Sequence, residues 1–474
     1  MNRPLYQLSY TAKKIGKRNN TLTPLKNQEE RRGKEKYFIQ REITGKLEDR
    51  FLLYNEHVVI RKEFSFMEEK LLEAYADLIV KTGANVQPGQ YVVIRTNVEL
   101  EPFASLVARK CYQVGAKQVF VHWQSALMDR VDYEEGKIEN LSEVSSFEEA
   151  AHKFMADYTP ILIWIDGEDP DGLKGINANK VATIKAAKYK VIGKYRKAQE
   201  NKAQWCIAGA PTKAWARKVF PEFSEEDAVE ALWKAILKTA RAENGNGIKE
   251  WEKHEEELKE RCAKLNSFHL TSLHYQSKRG TDLTVGLIPG VIFLGGGEKT
   301  DDGKFFQPNI PSEECFTSPW RGKAEGIVYA TKPLVYNGQV IRNFSVRFHE
   351  GKAVEVKAEE GEEVLKSILT LDEGASYLGE CAFVPFHSPI NDTGILFYNT
   401  LYDENASCHL ALGRGFTELY PEHEKYSEDE LLKRGINSSL SHVDFMIGDE
   451  TLDITGTDEN GKEIPIFRSG AWAF

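Results

Sequence analysis

The chain reads as an α/β protein: an N-terminal, open, mostly parallel α/β sheet domain followed by a C-terminal β-rich α+β domain. Three observations predict this. Short apolar runs alternate with helical segments from residue 67 to about 267. From about 268 the pattern changes to short β-rich runs with Gly, Asp and Asn turns. Across 474 residues, one hydrophobic core would have to exceed its usual size, so more than one domain is the default.

The first 66 residues stand apart. They hold 15 Lys/Arg against 8 Asp/Glu, a balance of +7 in a chain of net charge −10, which leaves −17 for residues 67–474. This stretch is polar, basic and weakly periodic, and it predicts an extension without packed structure. A regular pattern begins abruptly at Met67, which makes that methionine a second candidate for the start of the protein.

After Met67, Leu71, Leu72, Tyr75, Leu78 and Ile79 fall at helical spacing, with Gly83 as a stop. "YVVIRT" (91–96) predicts a strand and "ELEPFASLVARKCYQVG" (99–115) a helix. "QVFVHW" (118–123), "PILIWI" (160–165) and "QWCIAG" (204–209) predict further strands, with helical segments between them. Strands separated by helices imply a parallel sheet covered on both faces. No G-x-G-x-x-G follows the first strand, which argues against a dinucleotide site. Residues 224–247 and 248–267 predict two helices. In the second half, "FHEG" followed by "KAVEVKA" signals a hairpin, and "EEVLKSILTL" (362–371) a lone helix.

Composition excludes several classes. The acidic balance argues against a general nucleic-acid binder. No apolar run approaches the roughly 18 residues that span a bilayer, so no membrane association is expected. Six scattered cysteines without a C-x-x-C pair fit reduced thiols in a cytoplasmic protein.

The residues able to carry chemistry cluster in the second half. They are "NIPSEECFTSP" (309–319), "DEGASYLGECAFVP" (372–385), "LYDENASCHLALGRGF" (401–416) and "SLSHVDFMIGD" (439–449). His442 and Asp444 are two apart, so on a strand they share a face. Glu380 follows a glycine at the head of an apolar run, and Glu314 sits in a Pro-flanked loop. Taken singly, each also reads as ordinary structure: a hydrogen-bonded strand end, a surface pair, a core histidine or a solvent-facing doublet. Burying unpaired carboxylates is costly, so four such clusters in apolar settings point to a metal-dependent hydrolase. Their spacing matches no short zinc motif.

These stretches, with "GTDLTVGL" (280–287), "HSPI" (387–390), "LFYNTLYDENASCHLALG" (396–413), "GINSSLSHVDFMIG" (435–448) and the terminal "FRSGAWA", closely resemble the M29 family of metallo-aminopeptidases. "GANVQPGQYVVI" and "YQVGAKQVFVHW" match as well, so the resemblance covers about 67–474. It implies two divalent metals in the C-terminal domain (268–474), held by Glu314, Glu380, His409, His442 and Asp444. Glu380 or Asp444 would bridge, and the remaining three would be terminal ligands. Such mixed ligands suit Zn²⁺, Co²⁺ or Mn²⁺ better than Mg²⁺ alone. Asp403, Glu404 and Glu373 are candidates to orient the histidines, and capping of loops is the equal alternative for them.

The resemblance also implies peptide substrates with a free N-terminus, and a homodimer. It further implies a catalytic tyrosine seven residues after His409, where this chain has Phe416. Tyr420 stands close enough in sequence to be considered as a replacement hydroxyl.

Overall fold

In the computed structural model the described residues are 66–474, so the basic extension lies outside them. The described residues all belong to one compact unit. Helix α1 (Phe66–Leu78) leads to the first of four parallel strands, β1 (Tyr91–Asn97). Helix α2 (Glu101–Gln113) returns the chain to β2 (Gln118–Gln124), and β3 (Ile161–Asp166) and β4 (Trp205–Gly209) complete the set. Each lies within a few residues of the stretch whose apolar pattern predicts it.

The order across this sheet is β2-β1-β3-β4, and a fifth strand, β5 (Asn309–Ile310), joins beyond β4. That last strand arrives from about a hundred residues downstream. The chain adds β2 on one side of β1 and β3 on the other, so the gap between β1 and β3 is the switch point at which ligands settle beyond the carboxyl ends of such strands.

The two faces of the sheet differ for a period-two reason. On β3, Ile161, Ile163 and Ile165 are buried against α1, α2 and neighbouring helices in one core. Leu162, Trp164 and Asp166 point the other way and line a cleft. Full cover of both faces, expected from the alternation, is therefore met on one face and only in part on the other. There helix α3 (Ser146–Tyr158) packs Phe154 against Tyr91 and Phe120, and the rest stays open. Helix α4 (Ala178–Lys197) starts at Asn177, whose side chain accepts from the Lys180 amide. Helices α5 (Glu225–Thr239) and α6 (Gly247–Asn266) match the two long helical stretches; Ser224 caps the first, which carries three acidic residues in its opening turn.

The second half is antiparallel. A nine-stranded sheet includes the expected hairpin (Gln339–His349 with Lys352–Glu360), and the helix Glu362–Leu369 follows it. A smaller four-stranded sheet runs in the order β6 (Cys315–Thr317), β7 (Leu378–Phe383), β8 (His409–Gly413), β9 (His442–Met446). One face of it, with Cys381, Leu410, Leu412, Val443 and Phe445, is buried in the second core. The other face carries the candidate site. All six cysteines are unpaired and buried. Among the described residues, no helix is long and apolar enough to cross a membrane.

Candidate metal centre

Register builds the site. Glu380 on β7 pairs with Ala411 on β8, and Ala411 pairs with Asp444 on β9. Cross-strand partners share a face, as do residues two apart on one strand. Hence His409, Ala411, His442, Asp444 and Glu380 all present to the same side. Ala411 is the small residue in the middle, and its methyl leaves room between the two carboxylates. Glu314 enters from the loop just before β6.

Two overlapping groups of ligand atoms result, each with its atoms within 4.8 Å of one another: Glu314, Glu380 and His409, and Glu380, His442 and Asp444. Glu380 belongs to both. His409 Nε2 lies 3.0 Å from Glu314 Oε2, and His442 Nε2 lies 3.0 Å from Glu380 Oε2 and 3.2 Å from Asp444 Oδ1. The five residues anticipated from the resemblance therefore come together.

Backbone carbonyls orient both imidazoles. His442 Nδ1 is 2.7 Å from the Arg414 carbonyl oxygen, and His409 Nδ1 is 3.2 Å from that of Ser407. A nitrogen facing a carbonyl carries the proton, so each Nε2 is directed at the carboxylates. The approach of Arg414 depends on Gly379, where β7 bulges between Leu378 and Glu380. A Cβ on Gly379 would stand 2.1 Å from the Arg414 oxygen. The bulge also turns Glu380 into the cluster.

Glu314 is set by its neighbour. Arg241 donates through both terminal nitrogens to Glu313, the Nη2 bond measuring 2.8 Å. His254 accepts from Arg241 at Nδ1 (3.2 Å) and donates from Nε2 to the Ser312 carbonyl (2.7 Å). The Glu313 amide donates to Asn405 Oδ1 at 2.7 Å. This buried clamp fixes the loop, so that of two adjacent glutamates only the second faces the cluster. No local pattern marks Arg241 or His254, whose partners lie 72 and 58 residues away in sequence.

The remaining candidates are placed differently. Asp403 accepts from the amides of Phe397 (2.9 Å) and Asn399 (3.0 Å), which is loop capping, and it touches neither histidine. Glu404 is buried and lines the cleft beside the cluster, but its carboxylate accepts from Asn405 at 3.3 Å and from neither histidine. Glu373 lies at the surface, paired with Arg321 at 2.6 Å. Phe416 lies over the cluster, its ring 5.0 Å from that of His442 and 5.1 Å from that of Phe316. Tyr420 turns away, its hydroxyl accepting from Arg434 at 3.1 Å. Among the described residues that line the cleft there is no tyrosine.

The electrostatics call for positive charge. Burial raises the Glu380 carboxyl to about 7, against the opposing His442 hydrogen bond and with help from Glu314. Burial also lifts Glu404 well above its ordinary value, and the charges of Asp444 and Glu314 add to the rise. Burial would lower His409, yet the hydrogen bond and charge of Glu314, with Glu380 and Asp444 behind it, push it up to about 10. Asp444 is the exception: burial would raise it, but His442 and His409 hold it at about 2. Four buried carboxylates against two imidazoles are thus balanced only by taking up protons. Divalent cations fit this donor set of carboxylate oxygens and imidazole nitrogens.

The cluster lies in a cleft of about 740 Å³ whose far wall is the open face of the parallel sheet. A buried carboxylate and imidazole cluster at the side of such a cleft is the arrangement of a metallohydrolase. The chain belongs to the Thermophilic metalloprotease (M29) family, which it matches over residues 68–472, as the sequence motifs anticipate. It is 41% identical over 404 residues to Aminopeptidase AmpS of Bacillus subtilis, covering 85% of this chain and 98% of that relative. It is 39% identical over 407 residues to Aminopeptidase 2 of Geobacillus stearothermophilus, covering 86% and 98%. The solved structure of wild-type AmpT from Thermus thermophilus superposes with a TM-score of 0.77 at 36% identity, over 86% of this chain and all of that one.

Proposed function

We propose that this protein is an aminopeptidase that releases N-terminal amino acids from peptides at a two-cation centre. The observation that carries this reading is the pair of overlapping ligand groups sharing Glu380. Glu314 and His409 would hold one cation, His442 and Asp444 the other, and Glu380 would bridge them, since a carboxylate has an oxygen for each. Zn²⁺, Co²⁺ or Mn²⁺ suits this mixture better than Mg²⁺. Such ions polarise a peptide carbonyl and bring the pKa of a water toward neutrality.

The chain's own contribution is placement. The Ser407 and Arg414 carbonyls hold the two imidazoles in the tautomer that offers Nε2. The Arg241 clamp on Glu313 keeps Glu314 pointed inward. The acidic wall of the cleft, Glu298 and Glu418 included, complements the α-ammonium of a peptide. A cytoplasmic homodimer belongs to the same reading.

A second reading is favoured by one observation, the lack of any tyrosine among the described residues lining the cleft. Phe416 keeps ring packing against His442 but offers no hydroxyl donor to a developing oxyanion. On this reading the chain holds metal and peptide but turns over slowly. Metal-loaded protein assayed on a broad panel of aminoacyl substrates separates the two. Brisk release of N-terminal residues that stops on chelation supports the first; slow release or none with metal bound supports the second.

A further inference from the structure

Opposite the metal centre, the cleft holds two arginines without an ion pair among the described residues. Arg95, in the carboxyl half of β1, lines the cleft, and so do Arg196 of α4 and His152 of α3. Arg95 Nε is buried and has no hydrogen-bond partner. Among the described residues, neither arginine has an ion pair with a carboxylate.

Both guanidiniums belong to residues that line the one cleft, and burial, with the Arg196 charge behind it, holds Arg95 below its ordinary value. Burial, Arg196 and Arg95 together lower His152. The carboxylates at this end of the cleft are occupied elsewhere. Asp166 accepts from Asn399 at 2.7 Å, and Glu200 pairs with Arg414 at 2.9 Å. Glu168 sits beside Asp166 and Lys185.

Arg95 is half-buried and Arg196 is exposed, and two like charges that face one cleft are relieved when an anion joins them. Their position is also the one that topology favours. Arg95 pairs in register with Trp164 across β1 and β3, at the switch point of the sheet. Paired guanidiniums suit a carboxylate, which each can engage through two parallel hydrogen bonds.

We propose that Arg95 and Arg196 receive the C-terminal carboxylate of a short peptide whose N-terminal residue lies at the Glu380 cluster, so that the cleft selects short free-acid peptides. This rests on the aminopeptidase reading and names its substrate class. A cleft of about 740 Å³ is within the range of small-ligand sites. An α-carboxylate, unlike a side-chain acid, is present on every such substrate.

The test compares one tripeptide as free acid, as C-terminal amide, and as an amide ending in glutamate, on wild type, Arg196→Gln and Arg95→Gln. Arg196 is exposed, so the first variant spares the core if the second misfolds. Wild type should favour the free acid over the plain amide by roughly 10- to 100-fold in kcat/KM, mostly through KM, as loss of a charge-assisted hydrogen bond implies. In either variant that ratio should fall toward one. Equal kcat/KM for acid and amide in wild type overturns the inference and leaves the aminopeptidase reading standing. So does a ratio unchanged in Arg196→Gln, or a preference met only by the glutamate side chain. Hydrolysis of none of the three overturns both.

Discussion

Glu380 and Asp444 face one another across Ala411, each one strand away from it in a single row of the small antiparallel sheet. That row gives the centre its shape: two carboxylates at its ends, a methyl between them, and histidines two residues back on β8 and β9. If the row is the metal platform, Ala411→Leu should fill the gap without breaking a hydrogen bond. Metal content measured on purified protein is expected to fall below half of the wild-type value while the far-ultraviolet circular dichroism stays the same. Unchanged metal content would count against the row.

Glu380→Gln keeps shape and removes the charge shared by both ligand groups. Affinity for both ions should drop by more than the roughly 10–100-fold that loss of an outer partner costs. Calorimetric titration of metal into stripped protein reads this directly. Loss of a single site with the other intact would contradict a shared Glu380.

Phe416→Tyr restores a hydroxyl beside His442. If its lack limits turnover, kcat should rise by up to roughly 10²–10³, the worth of one oxyanion donor, with little change in KM. A mutant no faster than wild type would show that Phe416 is not the limit.

Gly379→Ala places a Cβ 2.1 Å from the carbonyl oxygen that orients His442. The strand must shift, so metal affinity should fall roughly 10–100-fold along with a lower melting temperature. A variant that loses melting temperature but binds metal as tightly as wild type would separate the glycine from the centre.

Asp403 predicts a pH effect on stability. Burial is the chief cause that holds its carboxyl up at about 6, with the Phe397 and Asn399 amides and Lys332 opposing. An unfolded Asp titrates near 3.9, so between about pH 4 and 6 the folded protein binds the extra proton. Stability from this group is therefore full below about pH 4 and is lost as pH rises to about 6, at up to ~1.4 kcal/mol per pH unit. Asp403→Asn should flatten the stability profile in that window relative to wild type, as urea midpoints from pH 4 to 7 would record. Parallel profiles would contradict the assignment.

Much of this was legible in the sequence because strands announce themselves locally. The four parallel strands are continuous apolar runs, and the His442 and Asp444 spacing is a strand period. What escaped depended on partners remote in the chain. Nothing near Glu313 and Glu314 says which one an arginine seventy residues upstream will take. The two-residue strand β5 is too short to carry a pattern, yet it extends the parallel sheet. Arg95 is a single polar residue at the end of an apolar run, and only the fold brings Arg196 to the same cleft. Glu373 and Asp403 resemble Glu380 in type and context, and their different fates rest on Arg321 and on two backbone amides.

A centre of two cations acting together on peptides is open to direct titration. Metal-stripped protein should be titrated with Co²⁺ while release of the N-terminal residue from a tripeptide and bound metal per chain are both recorded. Activity should rise to a plateau at two equivalents and vanish on chelation. Full activity in the stripped protein, or a plateau reached with a single ion bound, would contradict it.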